Sequence, residues 1–112
     1  MKFYCVCAEG YYSVSCNWDG GCPNINYVDE LEIIEKNDDN LVLLHKITED
    51  RTETFKLEFR ELASYGYVIP KYLVESGNNR VVKMIVLAES QILAEDKAIS
   101  YLQKKFPVKV EE

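Results

Sequence analysis

Between residues 30 and 59 the chain passes through three short β-prone stretches separated by two polar turns, and this rhythm restricts the fold more than any other feature. The stretches are about Glu30–Lys36, Leu41–Thr48 and Thr52–Phe59; the turns are Asn37-Asp38-Asp39-Asn40 and Glu49-Asp50-Arg51. The third stretch alternates with a period of two. Phe55, Leu57 and Phe59 point one way and Thr54, Lys56 and Glu58 the other, as in a strand with one buried face. Runs joined by turns too short for a crossover helix predict an antiparallel meander. Leu41-Val42-Leu43-Leu44 is apolar on both faces, which places that strand in the middle of the sheet, covered on both sides.

The N-terminal segment also alternates. Glu9-Gly10, between two β-prone runs, reads as the tight turn of a hairpin. One face would carry Phe3, Cys5, Cys7, Tyr12, Val14 and Cys16; the other would carry Lys2, Tyr4, Val6, Ser13, Ser15 and Asn17. That sorting predicts a half-buried pair, followed by a turn-rich loop from about Asn17 to Asn26.

Beyond the meander, Arg60–Tyr65 reads as a short helical turn stopped by Gly66. Tyr67–Pro70 is extended because the residue before proline avoids the helical region. A hairpin of about Lys71–Glu75 and Arg80–Ala88 follows, turning through Ser76-Gly77-Asn78-Asn79. The last element is a helix with Ser90 as N-cap, Glu95 and Asp96 early and Lys104 and Lys105 late, in keeping with the helix dipole. Its apolar stripe is Ile92, Ala98, Ile99, Leu102 and Phe106. The whole is one α+β domain over residues 1–112: a mainly antiparallel, curved sheet of hairpins and a meander, with a C-terminal helix packed on it.

Charge narrows the partners. The net charge is −6, and the lysines and arginines are scattered rather than gathered on one segment. Nucleic-acid backbones and anionic membranes demand concentrated basic surface, so direct binding to either is not expected. No apolar run approaches the roughly 18 residues of a membrane span. The N-terminus meets an acid at Glu9 before any secretory core can form. The expected setting is a reducing cytoplasm, which argues against structural disulfides.

All four cysteines, Cys5, Cys7, Cys16 and Cys22, lie in the first 22 residues. The simplest reading is packing, since free cysteine is among the most buried residue types. A second is zinc held by all four sulfurs, although Cys5-x-Cys7 departs from the Cys-x-x-Cys knuckle. A third is a Cys16–Cys22 disulfide or a redox role, the latter lacking flanking positive charge to stabilise a thiolate.

His45, the only histidine, faces the same way as Leu43 and reads as a hydrogen-bonded core residue. It could join the thiols at a metal only if its strand packs beside the first hairpin. No nucleotide-binding, hydrolase or metalloprotease motif occurs, so the expectation is a protein without enzymatic activity and without an obligatory cofactor.

Eight tyrosines and one tryptophan, together with clustered acids, favour a protein-interaction surface. The candidate contact residues are Tyr11, Trp18, Glu30, Glu32, Asp38 and Asp39, facing a protein partner with a basic surface. A small chain of this kind suits an accessory or inhibitor protein such as phages and mobile elements encode. The alternative is a small zinc-binding module organised by the four cysteines.

Overall fold

The computed structural model describes residues 1–11, 24–76 and 79–105. The element order is β1 (Lys2–Tyr11), β2 (Asn24–Glu30), β3 (Glu32–Lys36), β4 (Asn40–Lys46), β5 (Thr52–Glu58), α1 (Phe59–Tyr65), β6 (Val68–Ser76), β7 (Asn79–Ala88) and α2 (Gln91–Lys105). The strands form two stacked antiparallel sheets, one of order β2-β1-β7-β6 and the other β3-β4-β5. Helix α2 covers the outer face of the first sheet, and the second sheet covers its inner face. The α+β architecture, the meander, the second hairpin and the packed C-terminal helix are as the sequence predicts.

Alternation along the central strands builds both cores. Tyr4, Val6 and Ala8 of β1, with Val82, Met84, Val86 and Ala88 of β7, face α2 and meet its Ala94, Ala98 and Leu102. The residues between them point the other way. Phe3 and Cys5, with Ile85 and Leu87, meet Leu41, Leu43, Phe55 and Leu57 of the second sheet. Each fully buried aliphatic side chain contributes about 1.5–3 kcal/mol of transfer free energy, so this layer holds the two sheets together.

Several expectations change. Glu9-Gly10 is not a turn: β1 runs straight through it, with Glu9 opposite Val81 and Gly10 opposite Arg80. The neighbours of Cys5 are therefore Asp29 and Ile85, not Val14. Both faces of β1 are buried because it is a central strand between a helix and a second sheet, which explains why its Tyr4 and Val6 side is apolar. Residues 24–26, expected in a loop, begin β2. The Glu30–Lys36 stretch is divided at Leu31, whose N–H donates to the Phe3 carbonyl at 2.8 Å while its side chain enters the inter-sheet core. The chain thus changes sheets over a single residue.

Strand β4 is central, as expected, but only its Leu41, Leu43 and His45 side is fully buried; Val42 and Leu44 are half-buried. In α2 the buried stripe is Ala94, Ala98 and Leu102 with Tyr101 beside it, and Ile92 is exposed. The small residues at 94 and 98 let the helix sit close to the sheet, whereas Ile92 lies in the first turn beyond the sheet's cover. Ser90 caps as expected, its Oγ accepting from the Leu93 N–H at 3.3 Å.

Helix α1 carries the chain back from the second sheet to the first. It begins with a Glu58 N–H bond to Glu61 Oε1 at 3.0 Å and ends at Gly66, with φ of +77° and its N–H donating to the Leu62 carbonyl. Lys71 of β6 pairs with Glu61 at 2.8 Å and fixes the helix against the first sheet.

Candidate functional site

Two features carry polar chemistry: a cluster sealed between the sheets and an acid-rimmed edge strand. The buried cluster follows from strand register. His45 and Glu53 are direct cross-strand partners on β4 and β5, and both continue the inward faces of their strands. Across the gap β1 offers Cys5, β2 offers Tyr27 and Asp29, and β7 offers Lys83.

His45 is 1% exposed yet has a partner at each ring nitrogen. Nδ1 lies 2.9 Å from Glu53 Oε1, and Nε2 lies 2.8 Å from Asp29 Oδ2. The ring stacks between Tyr27, at 5.4 Å between centroids, and Phe55, at 6.5 Å. Two ionised carboxylates can only accept, so satisfying both requires an imidazole that donates from both nitrogens. Lys83 Nζ adds a second cation 3.2 Å from both Glu53 oxygens. Burial on its own would push the Glu53 carboxyl up, but the bonds from His45 and Lys83 outweigh it and hold the group below its ordinary value.

Cys5 is fully buried beside this cluster. Burial, reinforced by the Glu53 charge, pushes its thiol up to about 12, against the opposing effects of Tyr27 and Lys83. Burial likewise raises the Tyr27 phenol, with Cys5 and Cys7 adding to the shift. A lysine therefore does lie near the thiol, supplied by β7 rather than by flanking sequence, and desolvation still prevails. The residue types of a thiol–imidazole–carboxylate triad are present without its geometry. Both imidazole nitrogens already hold carboxylates, and neither is left to take a thiol proton.

Cys5 and Cys7 are free, buried thiols on one face of β1. Among the described residues, the ligating atoms of Cys5, His45 and Glu53 all lie within 4.8 Å of one another, and Cys7 is not in that group. Cys16 and Cys22 lie outside the described residues, so the four-sulfur arrangement and the Cys16–Cys22 pairing are not described. The condition for His45 to meet a thiol is fulfilled, because β4 packs over β1. Glu53, Asp29 and Lys83 were missed as its partners. For Glu53 the signal was the period-two series Phe55, Leu57, Phe59 extended backwards by one step.

The second feature is β3, at the edge of its sheet. All five of its residues are exposed, including Ile33 and Ile34, each at 50%. Adjacent strand residues normally point to opposite faces, but the β3–β4 register shifts between Ile33 and Glu35, leaving Ile34 as the extra residue of a bulge. Glu30 and Glu32 lie at one end of this strand and Asp38 and Asp39 at the other, all exposed, with Glu35 between them. A shallow groove of about 310 Å³ adjoins it, lined by Glu30, Leu31, Glu32, Leu44 and Lys46. Lys2 pairs with Glu30 at 3.3 Å, but both are well exposed and the pair adds little.

The four acids singled out in the sequence thus gather along one edge. The expected tyrosines do not join them. Tyr11 ends β1 opposite Asn79, and Trp18 lies outside the described residues. Tyr65, Tyr67 and Tyr101 instead line an open groove of about 370 Å³ between the α1–β6 region and α2. Ile33 and Ile34 were missed as surface residues because an apolar pair within a β-prone run reads as core unless the bulge is known. Among the described residues no helix is long and apolar enough to cross a membrane. Comparison with family models, curated proteins and solved structures finds no match for this chain.

Proposed function

We propose that the chain is a small, non-enzymatic protein-interaction module of accessory or inhibitor type. It docks through the β3 edge onto a partner protein whose basic surface surrounds an apolar pocket. One observation carries this reading: two adjacent isoleucines stand half-exposed on a strand that gives nothing to the core, within a rim of five acids. Interfaces concentrate their energy in a few apolar anchors, and a charged rim sets orientation and encounter rate. The bulge and charges blunt simple strand addition at this edge, so the side chains rather than the open backbone make the contact. The occluded thiol and doubly engaged imidazole support the non-enzymatic part of the reading.

The test is charge reversal at Glu30, Glu32, Asp38 and Asp39, followed by quantitative capture of partners from the source cell. All four positions are exposed, so each reversal should change stability by no more than about 0.5 kcal/mol. Partner capture should weaken at least tenfold, and the wild-type complex should weaken with added salt. Capture indifferent to reversal and to salt would reduce the acidic rim to a solvated surface.

A further inference from the structure

We propose that Cys5, His45 and Glu53 form a binding site for one divalent ion of the zinc class, with Asp29 positioning the imidazole from behind. The three side chains come from β1, β4 and β5, so the ion would bridge the two sheets. Their sulfur, nitrogen and oxygen atoms lie within 4.8 Å of one another. Bonds of about 2.0–2.3 Å to a tetrahedral zinc put such atoms roughly 3.3–3.8 Å apart. A contraction of about an ångström therefore closes the site. Thiolate, imidazole and carboxylate are a donor set that suits zinc and does not suit calcium or magnesium.

The surroundings fit. Nδ1 is the nitrogen facing Glu53, and Nε2 faces Asp29 at 2.8 Å. A ligating histidine commonly donates its other N–H to a carboxylate, which fixes the ring and raises its basicity. Lys83 reaches both Glu53 oxygens, so it can keep one while the other ligates. The exchange also balances. The ion replaces two protons, one from Nδ1 and one from the Cys5 sulfur, and both leave to solvent. The summed charge of Cys5, Asp29, His45, Glu53 and Lys83 with the ion equals that of the metal-free cluster, so no net charge is added between the sheets. Three protein ligands leave one tetrahedral position for water or another small ligand.

The probe is cobalt(II), added to the full-length, fully reduced protein under anaerobic conditions and then displaced by zinc. The expected result is one ion per chain, with tetrahedral d–d absorption and a thiolate-to-cobalt charge-transfer band. Absence of that band in the wild type overturns the proposal. Cys5→Ser should abolish the band, and its persistence overturns the proposal. The Cys16→Ser/Cys22→Ser double variant should keep the band; its loss places the ion on those cysteines and overturns the proposal. A hydroxyl at the fully buried position 5 strains folding, so two variants at partly exposed positions are read alongside. Glu53→Gln should weaken cobalt binding at least tenfold, and Asp29→Asn about ten- to a hundredfold. Wild-type affinity in both overturns the assignment.

Discussion

His45 and Glu53 face each other across the β4–β5 ladder, with the imidazole Nδ1 2.9 Å from the carboxylate and the ring closed off from solvent between two sheets. This pair, completed by Asp29 from the other sheet, is the polar joint of an otherwise apolar interface. Removing the ring should therefore cost more than removing either exposed acid. His45→Ala strips two charge-assisted bonds and leaves a cavity, and should lower unfolding free energy by about 2–4 kcal/mol. Asp29→Asn, at a side chain 44% exposed, should cost at most about 1 kcal/mol. Urea unfolding of the metal-free protein gives both values. Equal effects would mean that His45 only fills space.

The depressed Glu53 carboxyl sets the acid behaviour. Its contribution to stability is present in full above the ordinary value of 4.5 and is lost as pH falls through the lower folded value. The urea midpoint of the wild type should fall as pH drops below about 4.5, and Glu53→Gln should flatten that limb. A variant that keeps the wild-type acid slope would exclude Glu53 as its source.

The alkaline limb belongs to Cys5. Its thiol ionises near 9.0 when unfolded and near 12 when folded, so stability is complete below 9.0 and declines as pH rises toward 12. The full loss is on the order of 4 kcal/mol. The raised Tyr27 phenol acts with the same sign. Cys5→Ala should lower stability at neutral pH yet reduce the decline above pH 9.0. Parallel pH profiles for variant and wild type would contradict this.

Gly66 offers a separate check on the backbone. A Cβ there would meet nothing within 4 Å, but φ is +77° with ψ of −123°, a region open essentially to glycine. Gly66→Ala should cost about 1–3 kcal/mol through conformation alone. A neutral effect by urea unfolding would show that the α1–β6 junction relaxes.

Much of this architecture can be read from local patterns, because the period of two and the turn residues act over a few neighbours. The meander, the second hairpin, the Gly66 stop and the Ser90 cap are of that kind. What fails is non-local. Glu9-Gly10 looks like a turn because glycine after a β-prone run usually is one, yet pairing with Val81 and Arg80 carries β1 through it. The apolar Tyr4 and Val6 side of β1 hinted at a second covering layer, but only the placement of α2 explains it. The same limit applies to the site. His45 and Glu53 could be aligned from one hairpin, whereas Asp29, Lys83 and Cys5 come to them by stacking two sheets. The edge surface was half legible: four acids stand out in the sequence, and the outward turn of Ile33 and Ile34 depends on a bulge that no residue there announces.

The interaction reading is tested most directly by site-specific photo-crosslinking from position 34 in the source cell, with a probe at Asp96 on the exposed side of α2 as control. The account predicts that the position-34 probe repeatedly traps one protein through a basic, pocket-bearing surface. Trapping should be lost when Glu30, Glu32, Asp38 and Asp39 are reversed, and the control probe should not reproduce it. Identical products from positions 34 and 96, or trapping that survives the reversals, would contradict the assignment of the β3 edge as the docking surface.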